Sequence, residues 1–377
     1  MESLSYAEFS KSLHQQSFTG RIPLDGTIEV TRRCPLECHH CYNNLAMNDP
    51  EARRRELSYE EHCRILDEIA DAGCLWLLYT GGEIFARPDF LDIYTYAKKK
   101  GMLITLFTNG TLLTPEAADH LAEWRPFRIE ITLFGRTAET YESVTQISGS
   151  FDRCMRGIQL LRERELPLAL KSTVMSLNKH EIWDLKRFVE QDIGCEFRFD
   201  AMLNQRIDCE QGPLAVRLTP VEVVELDVLD AKRMREWETF CRQFGGPVHS
   251  PDGQDEMYHC GGGINSFAID PQGRMSVCPL ACDDPYDLRT GSFSEGWLDH
   301  LKRVRHRRIT RMTKCRSCTI QNMCGMCPAN GTLENQDPEM PVDFLCQVAH
   351  LRSRVIGITV AAHGNCNYCC ANESDRI

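Results

Sequence analysis

The chain has 377 residues, 42% of them hydrophobic and 26% charged, with a formal net charge of −11. That length exceeds one ordinary domain, and the acidic balance argues against a general nucleic-acid binder, which would be basic. Twenty cysteines, without a basic-then-apolar leader in residues 1–20 or a run of about 18 apolar residues, exclude a secreted disulfide scaffold and a membrane span and point to metal or redox chemistry in the cytoplasm.

From Gly26 to Leu203 short β-branched and aromatic runs alternate with amphipathic stretches. Strands are expected at Thr27–Thr31, Leu75–Thr80, Leu103–Phe107, Arg128–Phe134, Leu168–Met175 and Glu196–Met202. Between them the helix signals are legible. Ser58 and Glu61 form a capping box closed by Gly73, Pro88 and Pro115 suit first turns with Thr114 as an N-cap, and Asn178 with Glu181 repeats the capping pattern. Six strands alternating with helices imply a parallel sheet, as an open doubly wound form or a barrel.

Beyond residue 203 the alternation stops. Thr219-Pro220 opens one helix running to Phe244, and a Gly-, Pro- and Asp-rich loop follows over Gly245–Asp255. Cys260 to Cys346 is cysteine-rich with little apolar periodicity, so ligation is expected to replace a large core there. The expected partition is a lead-in at 1–25, an α/β barrel domain at 26–215, a linker helix and loop at 216–255, a cysteine-rich domain at 256–350 and a tail at 351–377.

Cys34, Cys38 and Cys41 stand just after the first strand in the order C-x3-C-x2-C. Three thiolates can hold a 4Fe–4S cluster and leave one iron open to another ligand. The alternative is a zinc knuckle completed by His39 or His40. Gly81-Gly82-Glu83 ends the second strand and Thr108-Asn109-Gly110 the third. Two glycines permit close backbone approach to a ligand, and Glu83 offers a carboxylate to an ammonium group. Cysteines, Gly-Gly-Glu and Thr-Asn-Gly would then share the mouth at the carboxyl ends of the strands, where parallel α/β folds bind ligands.

With these motifs, residues 26–203 resemble the radical S-adenosylmethionine (SAM) superfamily. The resemblance implies a partial (β/α)6 TIM-like barrel, with Cys34, Cys38 and Cys41 on the cluster that binds SAM. It further implies SAM contacts from Gly81, Gly82, Glu83, Asn109 and Thr132, with His40 as a ring against the adenine. The reduced cluster would cleave SAM to methionine and a 5′-deoxyadenosyl radical that abstracts a substrate hydrogen.

Downstream, Cys260, then Cys278, then Cys315-x2-Cys318-x5-Cys324-x2-Cys327, and finally Cys346 are similar to the SPASM extension of that superfamily, an iron–sulfur domain with two auxiliary 4Fe–4S clusters. By its interleaved topology Cys315, Cys318, Cys324 and Cys346 would complete one cluster, and Cys327 would join Cys260 and Cys278, with Cys282 or an open position as the fourth ligand. Three 4Fe–4S clusters and SAM are the implied cofactors. The alternative for this half is a pair of zinc sites.

Cys63, Cys74, Cys154, Cys195 and Cys241 read as small core residues. Cys366, Cys369 and Cys370 form either a further metal site or free thiols. The basic run Lys302, Arg303, Arg305, Arg307, Arg308, Arg311 and Lys314 reads as a solvated face, and nucleic acid is not expected as a partner. SPASM-bearing relatives mostly modify peptides, so the resemblance implies a peptide maturase forming thioether or carbon–carbon crosslinks. Only a short lead-in precedes the barrel, so leader recognition would need a separate leader-binding protein or another surface, and a flavodoxin or ferredoxin would supply electrons. Pro279 stands where sulfatase-maturing relatives carry an aspartate base. The remaining alternatives are a tetrapyrrole- or haem-modifying enzyme and a non-catalytic iron–sulfur electron carrier.

Overall fold

A computed structural model describes residues 5–244 and 256–369. The expected Gly245–Asp255 loop and the Cys370 thiol lie outside the described residues. Contacts divide the chain into two units, Met1–Asp200 with Cys260–Arg305 and Ala201–His259 with His306–Ile377. The cysteine-rich segment expected as one domain is therefore shared between them.

In the first unit all six expected strands form: β1 (Asp25–Thr31), β2 (Trp76–Gly81), β3 (Leu103–Thr108), β4 (Arg128–Thr132), β5 (Leu168–Thr173) and β6 (Glu196–Asp200). Each pairs in parallel with the next, from β1·β2 to β5·β6. This mixed α/β architecture, with its parallel-strand sheet, is typical of a partial TIM barrel. Three further strands were not legible: β7 (Ser266–Ile269), β8 (Arg274–Ser276) and β9 (Tyr286–Asp287). β7 runs parallel to β1 along its outer edge, and β8 and β9 follow antiparallel. They contain four, three and two residues, too short to show a period.

Alternation along the strands sorts the sheet into two faces. Ile28, Val30, Leu77, Tyr79, Ile104, Leu106, Ile129 and Ile131 are almost completely buried. Tyr79 meets Phe90 of the following helix edge-on, ring centroids 5.6 Å apart. The alternate positions, Leu78, Thr105, Phe107, Arg128 and Lys171 among them, are half-buried and more polar.

Helix ends follow local chemistry with some corrections. The Ser58–Glu61 capping box opens α1 (Tyr59–Asp71), Ser58 N donating to Glu61 at 2.7 Å. Thr114 caps α3 (Pro115–Glu123), but Pro88 lies outside α2 (Phe90–Lys99), which begins after Asp89. Asn178 makes no helix cap. Its Nδ2 instead donates to Phe134 O at 2.9 Å and Thr173 O at 3.0 Å, joining the ends of β4 and β5. An additional N-terminal helix, Tyr6–Gly20, starts at a Ser5–Glu8 capping box.

His62 on α1 is buried with neither ring nitrogen hydrogen-bonded. Burial, then the nearby Arg87 charge, holds its pKa down to about 3. Protonation therefore favours the unfolded chain between the ordinary imidazole pKa and that value, and stability falls as pH drops through this window. His62→Leu is expected to raise the melting temperature and to flatten its decline between about pH 6.5 and pH 4, as scanning calorimetry across that range would register.

The second unit is helical. The single helix expected after Thr219 is two, Pro220–Leu229 and Ala231–Phe244, because Asp230 leaves helical geometry and its carboxylate accepts Lys232 N at 2.9 Å. Helix Asp343–Ile356 packs on the first of these. There the buried Asp227 carboxylate accepts Arg352 Nε at 2.9 Å and an Arg233 guanidinium nitrogen at 2.8 Å. No helix among the described residues is long and apolar enough to cross a membrane.

Candidate active site

The site is built where β1 ends. Arg33–Cys34 leaves the main sheet and pairs in parallel with Leu45–Ala46. Gly82 N donates to Thr31 O at 2.7 Å and Glu83 N to Arg33 O at 3.0 Å, so the end of β2 lies directly against the approach to Cys34. A Cβ on Gly81 would stand 2.0 Å from Thr31 O, and Gly81 has φ +137°. On Gly82 it would stand 2.4 Å and 2.5 Å from the Arg32 and Arg33 oxygens. The Gly-Gly pair is thus demanded by contact between two backbones.

Glu83 is fully buried. Its carboxylate accepts Thr108 Oγ1 and Asn109 N, both at 2.7 Å, and Phe85 N at 3.2 Å. Burial raises its pKa and these three donors oppose the rise. The Thr108 and Asn109 bonds tie the ends of β2 and β3 together. Asn109 completes the link, its Nδ2 donating to Cys34 Sγ at 3.4 Å while its Oδ1 accepts Thr111 N at 2.9 Å. The expected meeting of the cysteine, Gly-Gly-Glu and Thr-Asn-Gly motifs is therefore physical contact.

Cys34 Sγ also accepts Leu36 N at 3.5 Å, and Cys41 N donates to Cys38 O at 3.1 Å. Burial, then Glu83, pushes the Cys34 thiol up to about 12. Cys38 is raised well above its ordinary value by burial and then by Cys41 and Cys34. Three thiols close enough to oppose each other's ionisation, one already receiving two N–H groups, fit a site whose negative charge is neutralised by iron.

Glu29, absent from the motif reading, anchors this loop. It is buried in β1, and its Oε1 accepts Tyr42 OH at 2.8 Å and Asn43 Nδ2 at 2.6 Å. Arg32 pairs with its other oxygen at 3.1 Å, and Asn43 Oδ1 accepts the Cys41 thiol at 3.6 Å. An acidic residue inside the apolar run Ile28-Glu29-Val30 was the available signal.

His40 packs edge-on against Phe134 with centroids 4.9 Å apart, and its buried Nδ1 has no hydrogen-bond partner. Burial lowers its pKa to about 4, so the ring is neutral. Thr132 ends β4 beside Lys171 of β5. On the same polar face Glu130 pairs with Arg128 at 3.0 Å, Lys171 at 3.4 Å and Arg198. Lys171 Nζ lies 2.8 Å from the Phe107 ring centroid, and burial brings it down to about 7.

Cys260 and Cys278 belong to the first unit. A Cβ on Gly262 would lie 3.3 Å from Cys260 Sγ and 2.8 Å from Val277 O, which brings Cys260 beside the residue preceding Cys278. Cys282 donates to Pro279 O at 3.1 Å and lines a different cavity, with Glu29, Arg32, Asp270 and Arg274.

In the second unit Cys315, Cys318, Cys324 and Cys346 line one small cavity with Lys314. The Cys324 thiol donates to Cys346, which that bond and Lys314 hold down to about 6. Cys327 lines a neighbouring cavity, with Cys315 on both. Basic-run residues are ion-paired: Arg303 with Asp284 at 3.1 Å, Lys314 with Asp343 at 3.3 Å, and Arg311 with Asp337. Cys74, Cys154 and Cys241 are buried as expected, while Cys63 and Cys195 are partly exposed.

Residues 28–189 match the radical SAM superfamily model. The chain is similar to the AdoMet-dependent heme synthase of Methanosarcina barkeri, 35% identical over 41% of this chain and 43% of that protein. The heme synthase of Nitratidesulfovibrio vulgaris is 26% identical over 80% of this chain and 86% of its own. The subtilosin biosynthesis protein AlbA of Bacillus subtilis is 27% identical over 84% and 69%. In fold the chain is similar to SuiB of Streptococcus suis bound to its precursor peptide SuiA, with TM-score 0.67 at 17% identity over 92% of this chain and 82% of SuiB. Such a domain implies a 4Fe–4S cluster and SAM as its cofactors, and the three-thiol site, with Cys34 buried and Cys38 and Cys41 half-buried, accommodates that donor set. The likeness to the radical SAM superfamily thus rests on residues 28–189, the part of the chain that carries Cys34, Gly81-Gly82-Glu83 and Asn109.

Proposed function

We propose that the protein is an enzyme that modifies a peptide or protein substrate by radical SAM chemistry, forming a crosslink of the thioether or carbon–carbon kind. The observation that carries this reading is the convergence of Cys34, Asn109, Glu83 and the Gly81-Gly82 turn on one strand end. When bound, the cluster and SAM supply a 5′-deoxyadenosyl radical able to remove a substrate hydrogen. Cys34, Cys38 and Cys41 hold the cluster. We assign SAM binding to Gly81, Gly82, Glu83, Asn109 and Thr132 with the neutral ring of His40. Glu83 keeps the turn rigid through its three hydrogen bonds. Lys171, poised near neutrality, can give or take a proton at Nζ on the polar face.

Two further clusters complete the reading. Cys315, Cys318, Cys324 and Cys346 would hold one, supported by their shared cavity. Cys260 and Cys278 would serve the other, with Cys282 as a candidate further ligand. A flavodoxin or ferredoxin would supply electrons in the cytoplasm.

A tetrapyrrole substrate is the second reading. It is favoured by the heme synthase likeness. Coexpression with short peptides encoded beside the gene tests the choice. A crosslinked peptide two hydrogens lighter by mass spectrometry is expected. Unchanged peptides together with consumption of an iron porphyrin would transfer the assignment.

A further inference from the structure

His350, His363, Cys366 and Cys369 form a group of their own in the second unit. His350 stands on helix Asp343–Ile356, and the other three follow it in the segment after that helix. Their ligand atoms all lie within 4.8 Å of one another. Among the described residues no other group of three or more His, Cys, Asp or Glu is so close.

The histidines are oriented as ligands. Nδ1 of His350 lies 2.8 Å from Cys346 O, and Nδ1 of His363 lies 2.9 Å from Ala361 O. A carbonyl can only accept, so each Nδ1 carries the hydrogen and each Nε2 keeps its lone pair. His350 Nε2 stands 3.6 Å from Cys366 Sγ and 3.5 Å from Cys369 Sγ. His363 Nε2 is 3.9 Å from Cys369 Sγ, and its Nδ1 is 3.1 Å from the same sulfur. The rings stack with centroids 5.8 Å apart.

Around a tetrahedral zinc ion, sulfur and nitrogen ligands are separated by about 3.5 Å, given bonds of about 2.3 Å and 2.05 Å. A two-iron cluster with thiolates on one iron and imidazoles on the other would hold the two ligand types across the cluster. The contacts of His350 Nε2 with both sulfurs, 3.6 Å and 3.5 Å, match a single ion.

We propose that His350, His363, Cys366 and Cys369 bind one zinc ion in a tetrahedral Cys2His2 site. The site is independent of which substrate the enzyme takes. Binding releases both thiol protons to solvent and moves no electrons. It fastens residues 357–369 to the helix that carries Cys346. His350 and His363 also line the four-cysteine cavity, so the ion reinforces one wall of it.

The test is metal analysis of the full chain purified without oxygen, with X-ray absorption at the zinc edge. One zinc per chain is expected, with two sulfurs at about 2.3 Å and two nitrogens at about 2.0 Å. The double variant Cys366→Ser, Cys369→Ser should lose this zinc and keep wild-type iron. Iron-replete protein without zinc, a zinc edge with another ligand set, or loss of iron in step with the two thiols would overturn the proposal. Should the double variant fail to fold, the wild-type zinc edge decides alone.

Discussion

Gly82→Ala is expected to lower 5′-deoxyadenosine formation by about 100-fold or more, although the added methyl touches no cofactor-binding side chain. The reason is steric. The new Cβ would be placed 2.4 Å from Arg32 O and 2.5 Å from Arg33 O, distances at which backbone must move. Arg33 immediately precedes Cys34, and the same turn carries Glu83, whose carboxylate fixes Thr108 and Asn109. Displacement therefore shifts Cys34, its Asn109 donor and the β2–β3 mouth together. The measurement is 5′-deoxyadenosine per cluster, with iron counted beside it. Wild-type turnover in this variant would show that the backbone contact does not position the site.

The parts legible in the sequence are those with a local cause. Six strands were found because each is a β-branched or aromatic run bounded by turn residues, and their ends moved by at most a few residues. The Ser58 and Thr114 caps follow from side-chain chemistry within one helical turn. The meeting of Cys34 with the Gly-Gly-Glu and Thr-Asn-Gly motifs followed from parallel topology, which brings successive strand ends to one side of the sheet.

What was missed depends on distant partners. Strands β7 to β9 exist because β1 offers an open edge, and their own four, three and two residues carry no period. Gly81 and Gly82 suggest room for a ligand in the sequence, whereas their nearest obstruction is the Thr31–Arg33 backbone. Asn178 carried a capping signature but bridges Phe134 and Thr173, because tertiary carbonyls outcompeted the helix terminus. Glu29 was passed over inside an apolar strand, although it holds Tyr42 and Asn43 of the cysteine loop. The zinc-type group was only half visible. Cys366 and Cys369 form a local pair, but His350 reaches them from the preceding helix across a gap in sequence.

The second large effect is expected at Cys34 itself. Its sulfur is buried and receives N–H groups from Leu36 and Asn109, so no neighbouring side chain can take over its role by a small movement. Cys34→Ala leaves Cys38 and Cys41 as two ligands where three are required. The decisive measurement is 5′-deoxyadenosine released from SAM by the reconstituted, dithionite-reduced protein, wild type beside Cys34→Ala. Formation by the wild type and background levels in the variant are expected; a wild type that releases none, or a variant that matches it, would contradict the assignment of Cys34, Cys38 and Cys41 as the radical-generating centre.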